Sequence, residues 1–378
     1  MDRKLFFIAG EASGDLSAAH LIKEIKKLSP SIEITGIGGK KMQEAGLRII
    51  FPAEKIGITG FFEVISKIGL LKNVFDSCIK HLDEYRPDAL VLVDYPGFNL
   101  RIAKQAKKRN IPVIYFISPQ VWAWGSERIE SIKKYVDRMM VVFGFEEEIY
   151  KKHNVPVKFV GHPLLDIVKP QLDRNCFRKT HNISENVSLI ALLPGSRNNE
   201  VQRLLPVFIL SAEIIRQEIK DAMFIIAKSP FLIENIYKTY LQKSKLPILL
   251  NNSTYNILNG SDVAIVCSGT ATLETAIIGT PMVVAYKTSL LSFLLAKRLV
   301  KIKNMALVNV IAGKRIVPEY VQKKASAENI AKEVISILKN KEKYINIKED
   351  LRRVKEKLGS PGAGKRAAWE IINFLNGL

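Results

Sequence analysis

At 378 residues, 47% apolar and 25% charged, the chain is long enough for two or three domains with their own cores. Lys and Arg number 57 against 37 Asp and Glu, a net charge of +20. No apolar run approaches the ~18–20 residues that span a bilayer, and the apolar stretch at 5–9 is short of the ~7-residue core of a secretory signal. The cysteines Cys78, Cys176 and Cys267 have no CxxC spacing and the histidines no metal-ligand spacing. Secreted, integral-membrane, disordered and disulfide-rich classes are excluded, and a cytosolic α/β protein is expected.

In chain order, LFFIAG (5–10), IEITGIGG (32–39), ALVLVDYP (89–96), PVIYFISP (112–119), RMMVVF (138–143) and VKFVG (157–161) are continuous apolar runs. Continuous apolarity is what a parallel strand covered on both faces requires. Helical spacing fills 15–28, 61–83 and 99–109 between them. The second half repeats the pattern with LIALLPG, AMFIIAK, PILLNN, DVAIVCSG, PMVVAYK and MALVNVIAG. Two βα arrays in succession predict two doubly wound domains. A hinge is expected near 162–185, where Pro and charge replace strand periodicity, and a helical tail from about 326.

In such sheets ligands bind beyond the carboxyl ends of the strands. GEASGDLSAAHL (10–21) follows the first strand, with Gly10 and Gly14 permitting a tight turn before a helix whose free N–H groups suit an anion. Ser13 or Asp15 caps that helix on the simplest reading; Glu11 has no such explanation. No GxGxxG occurs, which argues against an NAD enzyme. VLVDYPGFN (91–99) sets Asp94 at the end of a buried strand, where a carboxylate is costly unless paired or functional. It suits removal of a hydroxyl proton, with a structural turn or ion pair as the alternative. SPQVWAWG (118–125) offers Trp122 and Trp124 as walls of a sugar or acyl pocket, or as ordinary packing.

ALLPGSRNNEV (191–201) presents Gly195, Ser196 and Arg197 at a helix start, a backbone, hydroxyl and guanidinium set suited to diphosphate. IVCSGTATLETA (265–276) repeats the device with Ser268, Gly269 and Thr270, and Glu274 one turn on is placed to accept ribose hydroxyls. The alternatives are a plain capped helix and a dipole-favouring Glu. GSPGAGK (359–365) imitates a Walker loop, but Arg366 stands where Ser or Thr is needed and no strand precedes it. Ser360 as N-cap with Pro361 at the first helical position is expected instead.

The charge is uneven. Residues 1–165 hold 25 basic and 19 acidic side chains (25 − 19 = +6), and 166–378 hold 32 and 18 (32 − 18 = +14). From Thr275 to Pro318 there is no acid and there are seven cations, a pattern that calls for an anionic neighbour. Residues 58–75, with Phe61, Phe62, Ile65, Ile68 and Leu71, and the basic amphipathic stretch 289–304 both suit lipid, or else the face of a buried helix.

AGEASGD, VDYPGFN, SPQVWAWG, VGHPLLD, LLPGSR, SGTATLE and LAKRLVK…NVIAG, in this order over about residues 10–360, resemble the lipid-A-disaccharide synthase family. The resemblance implies a GT-B glycosyltransferase with two Rossmann-like domains facing each other across a cleft. Residues 1–165, completed by a helix at 360–378, are expected to bind acceptor and lipid, and 186–345 the UDP-sugar. It further implies transfer of 2,3-diacylglucosamine from UDP-2,3-diacylglucosamine to 2,3-diacylglucosamine 1-phosphate (lipid X) with inversion. The products are the β-1,6 disaccharide 1-phosphate and UDP, within lipid A and lipopolysaccharide biosynthesis. Asp94 matches the family's proposed base, with Glu11 as second candidate. Arg197, Glu274 and Asn309 fall where the family binds UDP, beside Gly195, Ser196, Ser268, Gly269 and Thr270. Ser13, Asn99, Trp122, Trp124 and the 58–75 segment are the acceptor and lipid candidates. Tyr95 stands where the family often has a small residue, which leaves the local acceptor contacts open. No metal, cofactor or nucleic-acid partner is expected. Peripheral attachment to the cytoplasmic face of an anionic inner membrane is expected, and a homodimer is compatible. The rivals are another N-acetylglucosaminyltransferase, a UDP-N-acetylglucosamine 2-epimerase and, resting on charge alone, a nucleic-acid-binding protein.

Overall fold

The computed structural model describes residues 3–52, 68–123, 125, 127–230, 232–289, 293 and 304–377. The chain divides into two compact units, one of Met1–Ile167 with Leu358–Leu378, the other of Val168–Lys297 with Ile302–Lys357.

The first unit carries strands β1 (Lys4–Ala9), β2 (Glu33–Gly38), β3 (Arg48–Pro52), β4 (Ala89–Val93), β5 (Val113–Phe116), β6 (Arg138–Val141) and β7 (Val157–Phe159). Helices α1 (Ala12–Leu28), α2 (Lys40–Glu44), α3 (Ile68–Tyr85), α4 (Pro96–Lys107), α5 (Arg128–Tyr135), α6 (Gly144–Lys152) and α7 (Leu164–Ile167) alternate with them. The sheet order is β3-β2-β1-β4-β5-β6-β7, every pair parallel. Every residue of β4 and β5 is buried. That is why these strands read as unbroken apolar runs rather than alternating ones.

The second unit opens with α8 (Arg174–Thr180). It continues through β8 (Leu189–Leu193), α9 (Asn198–Glu218), β9 (Met223–Ala227), α10 (Asn235–Leu241), β10 (Ile248–Asn251), α11 (Thr254–Gly260), β11 (Val263–Cys267), α12 (Ala271–Ile278) and β12 (Met282–Tyr286). After α13 (Leu307–Ala312) and β13 (Glu319–Val321), α14 (Ala327–Lys339) and α15 (Lys341–Lys357) follow; α16 (Ala363–Asn376) then returns to the first unit and packs on α1. The order β10-β9-β8-β11-β12-β13 is again wholly parallel. Each sheet reverses its strand order once, between β1 and β4 and between β8 and β11. Those two switch points are where a doubly wound sheet binds ligand.

Three local expectations are corrected. MALVNVIAG forms α13, not a strand: Ala306 is extended and Leu307–Ala312 helical, ended by left-handed Gly313. The last helix begins at Ala363 with left-handed Gly362 as its N-cap, not at Ser360. Its free N–H groups are satisfied from far away, Asp166 accepting from Gly362 N (2.5 Å) and Gly364 N (3.3 Å). Asp15 does not cap its own helix. Its carboxylate, 3% exposed, accepts from the backbone N–H of Gly39 (2.8 Å), Lys41 (3.1 Å) and Met42 (3.1 Å), tying α1 to the start of α2. No helix among the described residues is long and apolar enough to cross a membrane.

Candidate active site

The first switch point brings the ends of β1 and β4 together, in register through Ala9 and Val93. Beyond β1, Gly10 leads to half-buried Glu11, the extended N-cap residue of α1, whose carbonyl accepts from Asp15 N at 2.8 Å. Ser13 lies half-buried in the first turn of α1. Beyond β4, Asp94 and Tyr95 both adopt left-handed backbone, φ 49° and 45°. Consecutive non-glycine residues in that region cost about 1–3 kcal/mol each and persist only where surroundings over-determine them.

The surroundings here are a clamp on the Asp94 carbonyl. It accepts from the Tyr115 hydroxyl at 2.5 Å and from Asn99 Nδ2 at 2.7 Å, and Asn99 also reaches the Val93 carbonyl at 3.2 Å. Tyr115 and Asn99 are both 0% exposed. Asn99 thus holds the strand end by its side chain. Pro96 at the first position of α4 fixes the exit of the chain. The Tyr95 ring lies so close to Gly10 that an added Cβ there would sit 2.6 Å from Cδ1, so glycine is required. Burial, then the charge of Glu11, pushes the Tyr95 hydroxyl above its ordinary range. The strained turn at β4 and the Glu11 carboxylate therefore share one corner.

Further along the same sheet edge, Trp122 donates its indole N–H to Glu146 Oε1 at 3.0 Å and meets Phe145 edge-on. Glu146 is 1% exposed in the first turn of α6, and its other oxygen accepts from Phe143 N at 3.3 Å. Burial raises this carboxyl from 4.5 to about 7 against the pull of those hydrogen bonds. Glu146 and Phe145 escaped the sequence reading. Their only signal was GFEEE directly after the β6 run, a carboxylate cluster that reads as an ordinary helix start.

Of the lipid candidates, Leu71 is half-buried against the core of the first unit, beside Val74 and Phe75. Trp124, Phe61, Phe62 and Ile65 lie outside the described residues, as does the Ile68 side chain.

The second switch point joins the ends of β8 and β11. Gly195 takes φ +123°, and Ser196 and Arg197 lead into α9. Glu200, one turn into that helix, accepts from Ser196 N (3.0 Å) and Arg197 N (3.3 Å), and pairs with the Arg197 guanidinium at 3.3 Å. After β11, Ser268 donates its hydroxyl to the Met305 carbonyl at 3.3 Å. Gly269 has φ +144° and open space where a Cβ would be, and Thr270 starts α12. Glu274 accepts from the Tyr255 hydroxyl at 3.0 Å, and burial raises its carboxyl above the ordinary range. Asn309 differs from the others. It is 0% exposed; its Oδ1 accepts from Ile316 N (2.8 Å) and Val317 N (3.0 Å), and its Nδ2 donates to the Val317 carbonyl and Glu319. The side chain is occupied in bracing the 316–319 segment, so a ligand would meet the backbone of this turn. Among the described residues no group of three or more His, Cys, Asp or Glu side chains is placed to hold a metal ion.

Two parallel sheets, each with a polar, glycine-bearing switch point, give the chain a GT-B-like fold. Solved structures agree on the fold. A putative UDP-N-acetylglucosamine 2-epimerase from Listeria monocytogenes matches with a TM-score of 0.65 over 100% of this chain and 98% of its own, at 12% identity. A calicheamicin glycosyltransferase matches with 0.64 over 99% and 98%, also at 12%. The model of the lipid-A-disaccharide synthetase family matches residues 5–369, and the chain belongs to that family. A lipid-A-disaccharide synthase of Syntrophus aciditrophicus is 43% identical over 99% of both chains. One from Nitrosococcus oceani is 40% identical over 98% of this chain and 96% of its own. The chain is thus a glycosyltransferase of lipid A biosynthesis.

Proposed function

We propose that the chain transfers 2,3-diacylglucosamine from its UDP derivative to the 6-hydroxyl of 2,3-diacylglucosamine 1-phosphate, with inversion, releasing UDP. Inversion is a single in-line displacement: the acceptor oxygen bonds the anomeric carbon as the bond to UDP breaks, and a base takes the hydroxyl proton. Asp94 is the base in this reading. The observation that carries it is the left-handed turn at Asp94 and Tyr95, clamped by two fully buried side chains at the switch point. Glu11, at the neighbouring strand end, is the alternative. The diphosphate is assigned to the 195–197 turn with Arg197 and to the 268–270 turn; both offer donors where negative charge develops on the leaving group. Glu274, half-buried beside Tyr255, is assigned to the ribose.

Under this reading the unit of residues 1–165 with 360–378 holds acceptor and lipid, through Ser13, Trp122, Trp124 and the 58–75 segment; Asn99, expected there too, is fully buried and serves by clamping the Asp94 carbonyl. The unit of 186–345 holds UDP-sugar. The acid-free, cation-rich window 275–318 supports docking to the anionic cytoplasmic face of the inner membrane. A homodimer is compatible with the same chemistry. The test is purified protein with both acylated substrates in detergent, UDP and disaccharide being followed by mass spectrometry. Both products are expected together, and neither from UDP-N-acetylglucosamine. UDP release without disaccharide would remove the acceptor assignment.

A further inference from the structure

We infer that Glu200 is an internal occupant of the anion seat in the 195–197 turn, and that its carboxylate gives up this seat when nucleotide diphosphate binds. The inference rests on the reading of that turn as the diphosphate site.

The geometry is that of a bound anion. Two successive backbone N–H groups, Ser196 at 3.0 Å and Arg197 at 3.3 Å, converge on one oxygen, Oε2, and the Arg197 guanidinium approaches the other at 3.3 Å. Backbone amides plus an arginine fork are the donor set a phosphate takes. A helix-capping glutamate ordinarily satisfies one N–H, that of the N-cap residue; here the carboxylate takes a second N–H outside the helix as well. The turn is also closed tightly on it, since a Cβ on Gly195 would lie 2.5 Å from Oε2.

The position in the sheet points the same way. The Glu200 charge is felt by the thiol of Cys267 at the end of β11 and by the hydroxyl of Tyr286 at the end of β12; both are raised first by burial and further by Glu200. The carboxylate therefore faces the carboxyl ends of the central strands, the face on which a doubly wound sheet receives ligand. A diphosphate and this carboxylate are like charges competing for one set of donors. Glu200 then weakens nucleotide binding and refills the donors as UDP leaves.

The test is calorimetric titration of the full chain with UDP and with uridine, comparing wild type with Glu200→Gln. Glutamine keeps one acceptor oxygen of the same reach for the two N–H groups, as capping boxes allow, and puts an uncharged NH2 in place of the oxygen that pairs with Arg197. UDP is expected to bind at least about tenfold more tightly, a change of about 1.4 kcal/mol, with uridine unchanged. Glu200→Ala should shift UDP in the same direction if the glutamine variant folds poorly. Unchanged or weaker UDP binding in the folded variant overturns the inference and makes Glu200 a permanent brace. If the wild type itself binds UDP no better than uridine, the diphosphate reading of the turn fails and takes the inference with it.

Discussion

Replacing Tyr115 with Phe isolates the link between the fold and the proposed chemistry. Tyr115 is fully buried on β5, and its hydroxyl contributes one of the two hydrogen bonds on the Asp94 carbonyl. Its loss removes about 1 kcal/mol of net hydrogen bonding and leaves the Asp94 carbonyl to the Asn99 side chain, in a turn whose two left-handed residues store about 1–3 kcal/mol each. Stability should fall by about 1–2 kcal/mol, or about 3–6 °C in melting temperature for a unit of this size. The larger effect should be on turnover. A displacement of about 1 Å at a reacting group costs on the order of a hundredfold, so disaccharide formation should drop about ten- to a hundredfold. UDP binding, assigned to the other unit, should stay as it was. The assays are differential scanning calorimetry, UDP titration and product formation on the same preparation. A melting shift of the expected size with undiminished turnover would refute the reasoning: the strained turn would then be structural and not the seat of the base.

Arg197→Ala should weaken UDP by roughly 1.5–3 kcal/mol, the range for a charge-assisted contact, with uridine much less affected; an unaltered UDP isotherm would remove Arg197 from the site. Asp15→Asn should destabilise the first unit, because an acceptor of three backbone N–H groups is replaced by a group that is half donor. Its UDP affinity should not change, and a loss of UDP binding at equal stability would contradict that division. Glu146 gives a pH signature. Its folded carboxyl titrates near 7 rather than 4.5, so the folded state holds more protons than the unfolded one between these values. This contribution to stability is fully present below about pH 4.5 and is lost as pH rises to about 7. Glu146→Gln should therefore lose less stability than wild type from pH 5 to 7.5 in parallel melts, and identical slopes would contradict the burial argument.

The strands were legible because central parallel strands must be apolar on both faces, and β1, β4, β8 and β11 announce this within five or six residues. What decided the corrected elements lies outside the local window. MALVNVIAG is short, apolar and β-branched, so periodicity does not separate strand from helix there. The segment is helical, and from it Asn309 braces 316–319, a long-range partner that a local window does not contain. The start of α16 depends on Asp166, nearly two hundred residues away, and no capping rule reads across that distance. The β13 run EYV is a three-residue edge strand with little apolar signal, whereas the edge strand β3, RIIFP, is apolar over Ile49–Phe51 and only half-buried. The motif residues beyond the strands stood out because small, charged and glycine residues interrupt apolar runs at the switch points. Asp15 stood out for the same reason and Asn309 through the family resemblance, yet the side chains of both hold backbone together. Conspicuous polarity in a sequence marks a buried obligation without saying whether a ligand or the chain itself meets it.

The most direct measurement is turnover of Asp94→Asn with both acylated substrates, read as disaccharide formed per enzyme, with UDP titrated on the same sample. With Asp94 as the base, turnover should fall about 10²–10⁴-fold while UDP affinity stays within twofold of wild type. Near-normal turnover would contradict the assignment and pass the role of base to Glu11.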